Sequence, residues 1–137
     1  MTRRESRICV FELLYEADFH KDIAPAEVYD RSLNARDAKG SEFAKSLFTV
    51  CVENIDEIDK IISESAENWK LSRMTAVTKA ILRMSAGEML YTDVPPKACI
   101  NEAVDIAKIY DDGKAARFIN GVLNKIARAT GKITDGE

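Results

Sequence analysis

The sequence predicts an all-α fold, a single compact domain of about six to seven helices that covers residues 1–137. Apolar residues recur at steps of three and four along most of the chain, which is the pattern of amphipathic helices. No stretch combines sustained period-two alternation with hairpin turns, so strands are not expected. A length of 137 residues is typical of one domain.

The first half of the chain predicts three helices. The first carries apolar residues at helical spacing, namely Ile8, Phe11, Leu14, Tyr15 and Phe19. Pro25 fits the first turn of a short second helix around residues 26–33. Ser41 is the predicted N-cap of a long third helix. Its apolar positions run through Phe43, Leu47, Val50, Cys51, Ile55, Ile58, Ile61 and Ile62, so we expect this helix to be the spine of the fold.

The second half predicts three further helices. Trp69 and Leu71 lie in a connection that has room for a single helical turn, and Thr75 can cap the helix that follows. Val94 and the two prolines after it end that helix and start the next one. The last helix has Asp112 as predicted cap and stops near Gly131. Its predicted buried residues are Ile119, Val122, Leu123 and Ile126.

Composition excludes several classes of protein. An apolar share of 46% and a charged share of 31% are typical of a soluble globular protein. No apolar run could cross a bilayer, and acidic residues interrupt any signal-peptide core, so a cytoplasmic location is expected. The single histidine, His20, argues against histidine-based triads and zinc sites. Because no nucleotide-binding loop or nucleophile motif is present either, the sequence predicts no enzyme, no metal and no cofactor.

Charge is unevenly distributed along this acidic chain, whose formal net charge is −3. Seven cations between residues 97 and 132 face four acids, whereas the middle of the chain is acidic. The N-terminus adds Arg3, Arg4 and Arg7. Such a chain can bind an anion at its basic ends without binding every anion.

The three N-terminal arginines form the first candidate site. Cations at a helix N-terminus oppose the helix dipole, and Arg3 and Arg7 repel each other one turn apart. Both costs are offset if the cluster binds an anion such as phosphate. The alternative is a solvated basic end whose arginines pair with Glu5 and nearby acids.

The last helix supplies the second candidate site, with Arg117, Phe118 and Asn120. A cation, a ring and an amide at this spacing favour stacking on a base of single-stranded nucleic acid. The alternative places Phe118 in the core and lets Asn120 bond to the backbone. Glu102 and Asp105 form a possible carboxylate pair, but nothing around them predicts catalysis.

Several blocks resemble the family of the transcription antitermination factor NusB. They begin with Arg3, Arg4, Arg7, Leu14, Tyr15 and Asp18, followed by W-x-L-x-R from Trp69 and I-L-R-x-S-x-x-E-x-L from Ile81. The blocks I-N-E-A-V-x-I-A-K-x-Y, from Ile100, and F-I-N-G-V-L, from Phe118, are the most specific. The resemblance therefore covers nearly the whole chain.

The resemblance implies a NusB-like helical bundle that binds RNA. It implies a heterodimer with the ribosomal protein NusE that recognises single-stranded boxA RNA and helps the RNA polymerase elongation complex to transcribe ribosomal RNA operons. The implied RNA contacts are Arg3, Arg4, Arg7, Lys108, Tyr110, Arg117, Phe118 and Asn120. The implied NusE contacts are Tyr15, Phe19, Thr78 and Arg83.

Two positions depart from the family pattern. Thr78 stands where members often carry an acid, and Ala115 stands where many carry a serine. Some members pair with themselves and hide the RNA surface, so a homodimer stays open. NusB-like domains also occur in ribosomal RNA cytosine methyltransferases, but a stand-alone factor is expected because the chain reaches Glu137 without a methyltransferase domain. A helical adaptor that ignores RNA is the third alternative.

Overall fold

The protein folds into helices joined by short connections. The structure, a computed structural model, describes residues 1–35, 41–67, 70–110 and 113–133. Within these ranges there are seven α-helices: α1 (Arg3–Phe19), α2 (Pro25–Ala35), α3 (Glu42–Glu53), α4 (Ile55–Ser65), α5 (Ala76–Tyr91), α6 (Pro96–Tyr110) and α7 (Gly113–Ala129). A single 3-10 turn spans Leu71–Arg73. The predicted all-α class and helix number are confirmed.

Helix α5 is the centre of the molecule. Ten of its residues are buried, and it packs against α1, α3, α4, α6 and α7. The sequence placed the spine in the third helix, and that prediction is wrong. The apolar residues of α5 surround the helix instead of forming one stripe, as expected of a helix covered on most sides.

The predicted long third helix is in fact two helices that meet at Asn54. The backbone of Asn54 leaves helical geometry at φ −117° and ψ 20°, and its side-chain amide donates to the Val50 carbonyl at 2.8 Å. Leu47 and Cys51 before the break and Ile58 after it are all buried. Because the apolar spacing continues through Asn54, periodicity alone could not detect the break.

The predicted caps are confirmed where the structure describes them. The Ser41 hydroxyl accepts from the Ala44 amide at 2.9 Å, and the Thr75 hydroxyl accepts from the Thr78 amide at 3.1 Å. Helix α7 ends beside Gly131, whose positive φ of 73° suits glycine. The predicted cap Asp112 and the connecting Trp69 lie outside the described residues.

The three cysteines are buried, and none is in a disulfide. The pKa of the Cys99 thiol is raised to about 12, mainly by burial. Burial also raises the pKa of the Cys51 thiol. Both thiols are therefore protonated core residues at neutral pH. Among the described residues, no helix has the length and apolar character that crossing a membrane requires.

Candidate nucleic-acid interface

Arg4 attaches the beginning of α1 to the outer face of α6. Its guanidinium donates to both carboxylate oxygens of Glu102, each at 3.1 Å, and to Asp105 at 2.8 Å. The Arg4 side chain nevertheless remains 44% exposed. Because Glu102 and Asp105 are three residues apart on one face of α6, they share this one exposed cation.

Arg7 points into the protein, unlike Arg3 and Arg4, with which the sequence grouped it. Its Nε and Nη2 atoms donate to the carboxylate of Glu88 at 2.9–3.0 Å. Arg7 is 7% exposed and Glu88 is 1% exposed. Glu102 lies 3.6 Å from Nη1 on the other side. Because its charge is matched by the buried Glu88 and the half-buried Glu102, Arg7 holds α1 against α5 and does not present a free cation.

Arg3 lies over a ring of α3. Its guanidinium carbon is 4.1 Å from the centroid of Phe43, a distance typical of a cation–π contact. Arg3 stays exposed. Glu5, which the alternative interpretation paired with the arginines, instead completes a capping box with Thr2. The surface cations at this end of α1 are therefore Arg3 and Arg4.

Helix α6 connects the head of α1 with α7. Lys108 is exposed one turn beyond Asp105, and α6 packs along α7. The ring of Tyr110 meets Phe11 of α1 edge to face, with centroids 4.9 Å apart, and remains partly exposed. Exposed cations therefore lie on all three helices: Arg3 and Arg4 on α1, Lys108 on α6 and Arg117 on α7.

The second candidate site divides between two sides of α7. Arg117 and Asn120 are exposed, whereas Phe118 is half-buried and packs against the core. Side chains two positions apart on an α-helix point about 200° apart around the helix axis. Phe118 and Asn120 therefore lie on opposite flanks of α7. The ring of Phe118 lines a groove beside Glu67 at the end of α4. It is thus neither a core residue nor a freely exposed one.

Tyr15 and Phe19 form an exposed aromatic patch on α1. Their ring centroids are 5.0 Å apart, and Phe19 is 61% exposed. Tyr15 also lines a shallow depression with Val77 and Tyr110. The patch is thus apolar surface of the kind found at protein interfaces.

Thr78 and Arg83, which the family resemblance gave as partner contacts, both lie inward. Thr78 is buried in the first turn of α5. Arg83 donates to both carboxylate oxygens of Asp59 at 2.8 Å and to Asp18 at 3.0 Å. These acids come from α4 and α1, so Arg83 joins three helices.

Asp18 is the acid that α1 contributes to this cluster. Burial raises the pKa of its carboxyl, but hydrogen bonds from Lys79 and Arg83 lower it more, and the net shift is downward. Lys79 lies 2.9 Å from the same carboxylate. The carboxylate is therefore ionised at neutral pH and binds two cations of α5.

No group of three or more acids, histidines or cysteines that could hold a metal ion exists in the described part of the chain. Several of the acids pair instead with cations of other helices, as Glu88, Glu102 and Asp18 do.

A sequence profile of the NusB family matches residues 4–128. This chain belongs to the NusB family. It is 39% identical over 127 residues to the transcription antitermination protein NusB of Bacillus subtilis, covering 92% of this chain and 95% of that one. It is 36% identical over 140 residues to the NusB of Thermodesulfovibrio yellowstonii, covering 93% of each. It spans 60% of the longer NusB of Chloroherpeton thalassium, at 35% identity.

Solved NusB structures share the fold. Thermotoga maritima NusB superimposes with a TM-score of 0.81 at 31% identity, covering 93% of this chain and 92% of that one. The NusB of a crystal structure of antitermination factors NusB and NusE in complex with dsRNA gives a TM-score of 0.81 at 30% identity, over 93% and 96% of the two chains.

The sequence did not predict that three acids, Glu88, Glu102 and Asp105, bind the N-terminal arginines. Two of them, Glu88 and Glu102, lie within the NusB-like motifs. Arg7 and Glu88 are 81 residues apart in sequence, and Arg4 and Asp105 are 101 apart. One signal was available in the sequence. A cation at the N-terminus of a helix is unfavourable because of the helix dipole, so such a residue indicates that an acid from another part of the chain lies close by.

Proposed function

We propose that this protein is a transcription antitermination factor that binds single-stranded, boxA-type RNA together with the ribosomal protein NusE. In this role it supports processive transcription of ribosomal RNA operons by RNA polymerase. Membership of the NusB family supports the proposal, as does the fold shared with a NusB that was solved with NusE and RNA. The observation that carries it is the path of exposed cations on α1, α6 and α7.

The RNA backbone follows these cations. Arg3 and Arg4 bind phosphates at one end, Lys108 in the middle and Arg117 at the other end. Arg4 exchanges its exposed carboxylate partners for a phosphate, which costs little because exposed ion pairs contribute little to stability. Asn120 offers its amide to a base or phosphate, and Phe118 offers its ring to a base. Arg7 acts indirectly, by holding α1 in place.

NusE binds the aromatic patch of Tyr15 and Phe19, beside Tyr110. Because Tyr110 also ends the helix that carries Lys108, NusE and RNA occupy neighbouring surfaces. A joint RNA site is favoured by the net charge of −3, since this chain alone offers few exposed cations to a polyanion. We place this activity in the cytoplasm, with the nascent RNA.

Salt dependence tests the proposed RNA path. With NusE present, Arg4→Ala or Lys108→Ala should each reduce the slope of log affinity against log salt by about 0.7, the effect of losing one phosphate contact to a single strand. Arg31→Ala is the matched control, because Arg31 is an exposed cation of α2 that pairs with Glu27. Unchanged slopes for both test variants would overturn the path. No measurable RNA binding by the wild-type complex would favour an adaptor that ignores RNA.

A further inference from the structure

An open groove of about 300 Å³ separates the end of α4 from α7. Its lining includes Ser65, Glu67, Arg117, Phe118, Gly121 and Lys125. The groove lies on the flank of α7 that faces away from Asn120, and it connects with the exposed cation Arg117. Because Arg117 and Phe118 also belong to the proposed RNA path, the groove extends that path toward the end of α4.

Two residues of this groove, Gly121 and Glu67, are poorly suited to the backbone conformation that they adopt. Gly121 lies in the middle of α7, where glycine is among the poorest helix formers. A Cβ atom at this position would meet no atom within 4 Å, so no close packing requires glycine. Glu67 has φ of 50°, in the left-handed region that normally selects glycine after a helix. Local strain of this kind clusters at ligand sites.

The chemistry of the lining fits a base and its phosphates. The half-buried ring of Phe118 provides an aromatic wall, and Arg117 and Lys125 provide cations. The carboxylate of Glu67 is a hydrogen-bond acceptor and pairs with Lys125. The Lys125 and Glu67 side chains are 45% and 69% exposed, so this pair is weak and can open for a ligand.

We infer that this groove is a slot for one unpaired nucleobase of the bound RNA. The base stacks against Phe118, and Glu67 accepts a hydrogen bond from its exocyclic amino group, as carboxylates do from cytosine. Lys125, released from Glu67, joins Arg117 on the flanking phosphates. Gly121 leaves the space that the base fills, and Glu67 disfavours uracil, which has no amino group. The inference rests on the proposed RNA-binding function.

The first test fills the slot. Gly121→Leu places a side chain into open space, so α7 keeps its fold, but the base no longer enters. With NusE present, we expect Gly121→Leu to bind a boxA-type RNA about tenfold more weakly than wild type, the usual effect of losing one stacked base. Ser63→Leu is the matched control, because it adds the same side chain to an exposed position of α4 outside the groove lining.

Abasic nucleotides identify the base. Each RNA position is made abasic in turn, and wild type should lose about tenfold in affinity at one inserted position. Gly121→Leu should lose its sensitivity at that same position only, whereas Ser63→Leu should keep the wild-type pattern.

The second test concerns base identity. Uracil at the inserted position should bind wild type several-fold more weakly than cytosine. Glu67→Gly removes the carboxylate and relieves the left-handed backbone, so we expect a thermal midpoint at least equal to that of wild type and equal affinities for the two RNAs. Loss of discrimination without loss of stability separates a role in recognition from a structural role.

The outcomes distinguish the slot from the proposed function. Failure of the wild-type complex to bind any RNA would remove both. The slot alone is overturned if wild type binds RNA and Arg4→Ala weakens it, but Gly121→Leu binds with wild-type affinity and an unchanged abasic pattern. Preserved discrimination by Glu67→Gly would overturn the role of Glu67.

Discussion

Arg7 and Glu88 show how a single buried residue pair connects sequence to stability. Both side chains are almost fully buried and are bound to each other by three hydrogen bonds. Removing one member leaves an uncompensated charge inside the protein. We therefore expect Arg7→Ala to lower the free energy of unfolding by about 3–5 kcal/mol, as measured by urea denaturation. Arg4→Ala, at an exposed ion pair, should leave the free energy of unfolding close to that of wild type.

The double substitution Arg7→Met with Glu88→Leu checks the reason for that loss. Replacing both charges by apolar side chains of similar size is often close to neutral, so the double variant should recover most of the stability. A wild-type midpoint for Arg7→Ala alone would contradict the assignment of Arg7 to the interior.

Asp18 makes the fold sensitive to acid. Although burial raises the pKa of its carboxyl, the hydrogen bonds from Lys79 and Arg83 leave it below the ordinary value of 3.8. Because the pKa of Asp18 is lower in the folded state, its carboxylate stabilises the fold fully at any pH above the pKa of the unfolded state. This stabilisation is lost as the pH falls through the pKa of the folded state. The free energy of unfolding should be measured for wild type and for Asp18→Asn between pH 6 and about pH 2. Asp18→Asn should be the less stable protein near neutral pH, and the difference should shrink as the pH falls, because wild type then loses the same stabilisation. Parallel curves for the two proteins would contradict this role.

At the scale of the helices, the close crossing of α3 and α5 depends on Gly87. A methyl group on Gly87 would overlap the Cys51 sulfur and lie 3.4 Å from a methyl of Ile58. We expect Gly87→Ala to destabilise the protein by about 1–3 kcal/mol, despite the better helix propensity of alanine. Combined with Cys51→Ala, it should cost less than the sum of the two single substitutions in thermal unfolding. Strict additivity would contradict the overlap.

The helices were predictable to different degrees. Periodicity located α1, α6 and α7, and the cap residues Ser41 and Thr75 located the starts of α3 and α5. The break at Asn54 was missed, since both α3 and α4 present apolar residues to the same core. The central place of α5 was missed for a related reason, because its burial depends on five other helices and not on its own pattern.

At the scale of the whole molecule, the sequence named the residues of the candidate site but not their arrangement in space. The motifs identified the residues, but Arg7 and Arg83 are neutralised by acids distant in sequence, and only the fold shows this. Local spacing also placed Phe118 and Asn120 close together, whereas the helix turns them to opposite flanks. What survives is a cationic surface made by three helices, beside an aromatic patch suited to a protein partner.

That arrangement predicts shared binding, because neither the few exposed cations nor the aromatic patch suffices alone. The most direct measurement is a titration of labelled boxA RNA with this protein, with and without NusE, at two salt concentrations. We predict binding at least tenfold tighter with NusE, weaker at higher salt, and much weaker for an RNA of scrambled sequence. Equal binding of the scrambled RNA, or no gain on adding NusE, would contradict the account.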